Sequence, residues 1–258
     1  MTTLNRRGFM VGAAVVGAAG FAAAAGATLT LPSRPIADRR PIALVYRGPA
    51  SRPGCSEAVA NLLESAPDSH RAVFCGPKEK VPLSAQSLAS AAIYAQPGGG
   101  TVRSAWPHME PHAEEIRDWV QSGGSYLGFC LGAYLAARGR GFDIATRAVS
   151  RYIETSRATV NGIEDAIVEV NWMGQRRHMF FQDGPQFGIK SRPGDAVLAR
   201  YENRTIAAVV TEFRSGRVGL VGPHPEADQT WYGATELTNP DGIRFDLGFH
   251  LISNLVNG

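Results

Sequence analysis

Cys130 stands between two glycines, Gly128-Phe129-Cys130-Leu131-Gly132, where an apolar run (residues 126–129) meets a run of small residues (131–137). A cysteine at a sharp strand-to-helix turn is a nucleophile elbow, and small neighbours are required because the nucleophile's backbone is crowded from both sides. The sulfur would emerge at the carboxyl edge of a sheet, where the positive end of the next helix favours thiolate over thiol. The same pattern also describes a small buried cysteine beside a tight turn. What separates the two is whether a base reaches the sulfur.

Far downstream, Gly222-Pro223-His224-Pro225-Glu226 follows a second apolar run. Residues two apart in an extended segment point the same way, and the flanking prolines stiffen it. His224 is therefore expected to take the thiol proton, and Glu226 to hold the other ring nitrogen in the right tautomer. Standing alone, this segment would read as an exposed turn with a casual histidine. Between the two lies Pro97-Gly98-Gly99-Gly100, again after a short apolar run. Consecutive glycines make a flexible turn or a nest of N–H groups able to hold a developing oxyanion. The place after a strand favours the nest, since ligands of open parallel sheets bind outside the carboxyl ends of the strands.

These groups need a scaffold. Residues 40–46, 71–74 and 91–95 are short apolar runs of the kind buried on both faces of a parallel sheet. Residues 47–54 are dense in turn formers, and from Ser56 the apolar positions Ala58, Val59, Leu62 and Leu63 share one helical face. Residues 111–122 predict a second amphipathic helix, stopped by Gly123. This alternation marks a parallel α/β layer structure. Beyond Arg138 the pattern changes to β-rich runs at 166–172, 177–181, 197–201, 205–213 and 217–221, read as hairpins and a closing meander. Residues 243–255 predict a last helix, with His250 at the edge of the core. The expected fold is thus α/β, a doubly wound, mostly parallel, flavodoxin-like sheet with an added antiparallel meander.

With 258 residues, 44% of them hydrophobic and 19% charged, the chain can bury a substantial core. Its net charge of +3 comes largely from Arg6 and Arg7, so no basic patch suggests a nucleic-acid partner. Asn5-Arg6-Arg7-Gly8-Phe9-Met10 is a twin-arginine motif, followed by an uncharged stretch rich in alanine and glycine (residues 11–27) that ends in Ala25-Gly26-Ala27. The expectation is a signal peptide over residues 1–27, a leader tail over 28–38 and a single domain over 39–258. The product would be periplasmic or secreted and would meet the membrane only during export. An uncleaved anchor is the other reading of the same stretch. Cys55 and Cys75 leave two outcomes open: a disulfide near the sheet edge, which an oxidising compartment would preserve, or two separate buried thiols.

Five segments carry a resemblance: Val45-Tyr46-Arg47-Gly48-Pro49, Gln96-Pro97-Gly98-Gly99, residues 124–134 around Cys130, residues 180–185 (Phe-Phe-Gln-Asp-Gly-Pro) and Gly222-Pro223-His224-Pro225-Glu226. In this order they resemble the class I glutamine amidotransferase-like superfamily, and more closely the amino-terminal amidotransferase-like domain of biotin-protein ligases and its free-standing bacterial relatives. The resemblance implies Cys130 as nucleophile, His224 as base, Glu226 as orienting acid, and N–H groups of Gly98, Gly99 and Leu131 as an oxyanion hole. Tyr134, Gly100 and Trp231 are the candidate substrate contacts. Glutaminases of the superfamily usually carry a glutamine where this chain has Tyr134, which argues against free glutamine as substrate. Ala137-Arg138-Gly139-Arg140-Gly141 reads as a solvated basic turn, and biotin ligation is not implied.

Two functions follow. The first is an exported cysteine hydrolase or amidotransferase-like enzyme acting through a thioester on a small-molecule or peptide-like amide or ester. The second is a catalytically idle module of the same fold that holds a small ligand with Tyr134, Trp106 and Trp231. Neither calls for a metal or a cofactor.

Overall fold

The computed structural model describes residues 38–258, so the twin-arginine motif and the leader lie outside the described residues. In chain order the elements are β1 (Ile42–Tyr46), α1 (Cys55–Ser65), β2 (Arg71–Cys75), α2 (Ala85–Ala89), β3 (Ile93–Gln96), α3 (Val102–Met109), α4 (Ala113–Gln121), β4 (Ser125–Phe129) and α5 (Leu131–Leu135). They continue with β5 (Ser150–Arg151), β6 (Ala166–Trp172), β7 (Gln175–Phe181), β8 (Pro185–Gln186), β9 (Ala196–Tyr201), β10 (Ile206–Phe213), β11 (Gly216–Val221), α6 (Gln229–Thr235) and α7 (Asp246–Asn257).

Nine strands form one sheet in the order β2-β1-β3-β4-β11-β10-β9-β6-β7. The first five run parallel, with β11 pairing β4 in register from Arg217↔Ser125 to Val221↔Phe129. This is the flavodoxin-type order, in which the fifth parallel strand comes late in the chain. β10, β9, β6 and β7 then continue the sheet antiparallel. The expected α/β fold is present, and its meander is not an appendage: it delivers the last parallel strand to the sheet centre.

Alternation along the parallel strands sorts the core onto two faces. Ala43, Val45, Leu127 and Phe129 pack with Val59, Leu63, Leu251 and Leu255 of α1 and α7. Leu44, Tyr46, Tyr94 and Tyr126 pack with Met109, Ile116, Val120 and Ala133 of α3, α4 and α5. Strands covered on both faces must be apolar throughout, which is why they appear in the sequence as continuous runs. The turn between β6 and β7 is the two-residue Met173-Gly174, both at positive φ (50° and 89°) as a tight hairpin demands.

Two helices lie where no helix was expected. α3 begins at Thr101, whose hydroxyl accepts from the Ser104 N–H at 3.2 Å, and continues through Pro107. α6 starts at Asp228, whose carboxylate accepts from the Thr230 N–H at 2.9 Å. Their N-caps are legible, but their apolar stripes are too short to register as periodicity. His250 is at the core edge, its Nδ1 accepting from Trp172 Nε1 at 2.9 Å.

Candidate active site

The turn from β4 into α5 places Cys130 at φ 45° and ψ −101°, a conformation rarely adopted by a residue with a side chain. Two hydrogen bonds hold it: the Cys130 N–H donates to the Val221 carbonyl (2.9 Å), and the Cys130 carbonyl accepts from the Tyr134 N–H (3.0 Å). The glycines on either side are required by contact. A Cβ on Gly128 would lie 2.8 Å from the Gly132 backbone, and one on Gly132 would run into the Gln96 carbonyl. Cys130 is 8% exposed and lines a cavity of about 820 Å³.

His224 arrives from the other side of the sheet centre. Its N–H donates to the Phe180 carbonyl at 2.8 Å, tying the loop after β11 to the end of β7 and so curling the outermost strand back over the elbow. Nδ1 of His224 lies 2.8 Å from Glu226 Oε1. Both residues are buried, Glu226 completely, and Glu226 Oε2 has no hydrogen-bond partner. Burial by itself would lower the imidazole pKa, but the charges of Glu226 and Cys130 outweigh it and raise His224 to about 10. The Cys130 thiol donates to the Gln182 carbonyl at 3.5 Å, and the His224 ring and the Cys130 side chain both lie against Gly98, with Nε2 uncommitted to Glu226.

The glycine run has two parts. Gly98 packs against the pair: a Cβ there would be 2.9 Å from His224 Cε1 and 3.5 Å from Cys130 Cβ, and its carbonyl accepts the Arg52 N–H at 3.3 Å. Its missing side chain leaves room for the His224 ring beside Cys130. Gly99 and Gly100, at φ 102° and 83°, do line the cavity beside Leu131. Among the described residues neither the Gly99 nor the Leu131 N–H donates to a main-chain acceptor.

Tyr134 and Trp231 line the cavity. The Tyr134 hydroxyl donates to the Asp183 carbonyl at 3.1 Å, and burial pushes its pKa up. The Trp231 ring stands 5.0 Å from that of His224 and 5.4 Å from that of Phe180. Trp106 is elsewhere, tilted against Phe142 at 6.3 Å within the second core face, because α3 turns it inward. Cys55 and Cys75 are separate, buried and free: Cys55 begins α1 on the cavity wall, whereas Cys75 is buried at the end of β2. Burial raises each thiol to about 12.

Sequence reading missed Gln182, Asp183, Arg151 and Arg52. The first two fall within the segment 180–185 that carried the resemblance, so the signal was present but without a role attached. Arg151 holds the Asp183 carboxylate at 2.9 and 2.7 Å, and Arg52 Nη1 reaches Gln182 Oε1 at 3.2 Å. No group of three or more His, Cys, Asp or Glu is placed to hold a metal ion among the described residues.

A flavodoxin-type sheet with an elbow cysteine after β4 and a histidine after the next parallel strand is the arrangement that the resemblance to the class I glutamine amidotransferase-like superfamily implies. Solved structures agree on the fold. PurLQS from Thermotoga maritima is 17% identical with a TM-score of 0.56, covering 84% of this chain and 98% of that one. A glutamine amidotransferase from Thermotoga maritima is 15% identical with a TM-score of 0.55, covering 85% and 99%. A further glutamine amidotransferase is 16% identical with a TM-score of 0.51, covering 71% and 90%. No curated protein matches the sequence. Residues 42–243 match the family described as "Biotin-protein ligase, N terminal", and the chain belongs to that family.

Proposed function

We propose that the protein is a cysteine hydrolase or acyl-transfer enzyme of the amidotransferase-like class, with Cys130 as nucleophile, His224 as general base and acid, and Glu226 as the group that orients His224. The observation carrying this reading is the Nδ1 to Oε1 contact of 2.8 Å between two buried side chains beside an elbow cysteine that opens into a cavity. With Nδ1 turned to Glu226, Nε2 is left to receive the Cys130 proton. The sulfur forms a bond to the substrate carbonyl carbon, and the oxyanion so formed would lie toward the Gly99 and Leu131 N–H groups. Collapse breaks the bond to the leaving amine or alcohol, which takes the proton from His224. Water or an amine then cleaves the thioester by the reverse sequence.

The substrate in this reading is a small-molecule or peptide-like amide or ester. The twin-arginine motif at Arg6-Arg7 supports export to the periplasm or beyond. Incubation with an activated aryl ester tests the chemistry: a mass increase equal to the acyl group on Cys130, absent in Cys130→Ala, is expected. An unmodified Cys130 under turnover conditions would leave the cavity a binding site only. Lysine in place of both Arg6 and Arg7 tests export, which should be lost.

A further inference from the structure

The wall of the cavity is charged unevenly. It carries Arg52, Arg103 and Arg151 against Asp165 and Asp183. Arg151 is engaged by Asp183 at 2.7 Å and by Glu154 at 2.7 Å, so that pair is internally neutralised. Arg52 and Arg103 enter no ion pair among the described residues, and neither does Asp165. Arg52 on the loop after β1 and Arg103 on the first turn of α3 thus share the cavity wall with one unpaired carboxylate.

Arg52 is built into this position. Gly99 has no Cβ, and one placed there would collide with the Arg52 backbone and Cβ, so the two loops interlock. The Arg52 N–H donates to the Gly98 carbonyl at 3.3 Å, while its Nη1 donates to Gln182 Oε1 at 3.2 Å. The main-chain carbonyl of that same Gln182 accepts the Cys130 thiol at 3.5 Å. One residue therefore links the guanidinium to the nucleophile, and the exposed Arg52 side chain is tied to the cleft wall at Gln182. Arg103 is on the first turn of α3, next to the Gly99-Gly100-Thr101 backbone, where main-chain N–H groups and the helix end add to the positive field. On the facing wall, Phe180 and Trp231 offer apolar ring surface.

We propose that the site selects an acyl compound carrying an oxyanion group, held by Arg52 and Arg103, with its apolar part against Trp231 and Phe180 and its carbonyl at Cys130. A guanidinium fork matches carboxylate and phosphate alike, so that chemistry is shared between the two groups. This rests on the reading of Cys130 as an accessible nucleophile.

The test uses two alkylating reagents of similar size, iodoacetate and iodoacetamide, on the full-length protein, with labelling of Cys130 followed by mass spectrometry. Rates are expressed as the iodoacetate to iodoacetamide ratio, normalised to the same ratio for a free thiol. The expected ratio exceeds unity by about fivefold for each arginine, the factor corresponding to a part-exposed ion pair of ~1 kcal/mol. It falls with added salt and collapses in Arg52→Gln/Arg103→Gln. Because that double variant retains His224, a preference that survives in it would come from the imidazolium and would overturn the arginine assignment. Arg52→Lys should keep part of the preference, as it keeps the charge and loses the fork. Protection of Cys130 by inorganic phosphate or by succinate at constant ionic strength distinguishes the two oxyanions, and protection by neither refutes the site. Labelling by both reagents without charge preference also sinks the oxyanion site while leaving the nucleophile reading intact. Labelling by neither sinks the nucleophile reading itself.

Discussion

Glu226 meets His224 through one carboxylate oxygen only: Oε1 is 2.8 Å from Nδ1, while Oε2 is buried with no partner. A buried carboxylate in this state is costly unless the imidazole beside it is positively charged. The pair is therefore coupled, and its pH dependence has a definite sign. The folded-state pKa of His224 lies above the ordinary 6.5, at about 10. The charge interaction then stabilises the fold fully below the unfolded value and is lost as pH rises through about 10.

The first prediction follows directly. Leaving-group protonation needs the imidazolium, so the rate of acyl-enzyme formation should fall on an alkaline limb near pH 10. In Glu226→Gln the largest raising influence is removed, and that limb should move toward neutrality. The rate should also drop by at least about a hundredfold, in the range for a mispositioned general base. A pH profile of acylation on both proteins checks this, and an unmoved limb would exclude Glu226 as the partner.

The second prediction concerns thiol selectivity. Burial holds the Cys55 and Cys75 thiols near 12, so at neutral pH they should not react while the protein is folded. Brief alkylation should add one group, at Cys130, and the denatured chain should take up three. A denatured count of one would instead mean that Cys55 and Cys75 are bridged in the exported protein. Their places explain why the sequence left this open: both lie toward the carboxyl ends of parallel strands, but Cys55 is carried by α1 onto the cavity wall while Cys75 closes the edge strand β2.

The third prediction separates two glycines. A methyl on Gly98 meets a side chain, the His224 ring, 2.9 Å from Cε1, whereas one on Gly132 meets the Gln96 backbone. Gly98→Ala should thus displace the ring and lose acylation of Cys130, at a smaller cost in stability than Gly132→Ala. Gly132→Ala should lower stability by about 1–3 kcal/mol through overpacking. Thermal melts paired with labelling decide it, and a destabilised but fully active Gly98→Ala would contradict the placement of the ring.

How far the site could be read from the sequence depends on how local its signals are. The elbow was legible because Gly128 and Gly132 meet each other within one turn, and the order of apolar runs was legible because the parallel strands are buried on both faces. His224 and Glu226 were legible as a stiff extended pair. Gln182, Arg52 and Trp106 were not readable in the same way. Gln182 reaches Cys130 only because β7, last in the sheet order, is pinned back by His224 through Phe180. Arg52 crosses a sequence separation of 130 residues to reach it. The inward direction of Trp106 depends on the rotation of α3, a helix too short to declare its buried face.

The last prediction is that free glutamine is not a substrate. The position that resembles a glutamine-recognising site is occupied by Tyr134, whose ring is on the cavity wall and whose hydroxyl proton is already given to the Asp183 carbonyl at 3.1 Å. Asp183 in turn is held by Arg151 at 2.9 and 2.7 Å, so the tyrosine donor is not available to the carbonyl oxygen of a glutamine side-chain amide. A site that leaves a substrate's polar groups unpaired discriminates by several orders of magnitude, far more than one that lacks apolar contact. Ammonia release from glutamine should therefore remain at the level of Cys130→Ala, under conditions where an activated aryl ester acylates Cys130 in the wild type. Glutamine turnover comparable to that of the ester would mean that the Tyr134 to Asp183 bond opens in solution and that the wall is not fixed as described.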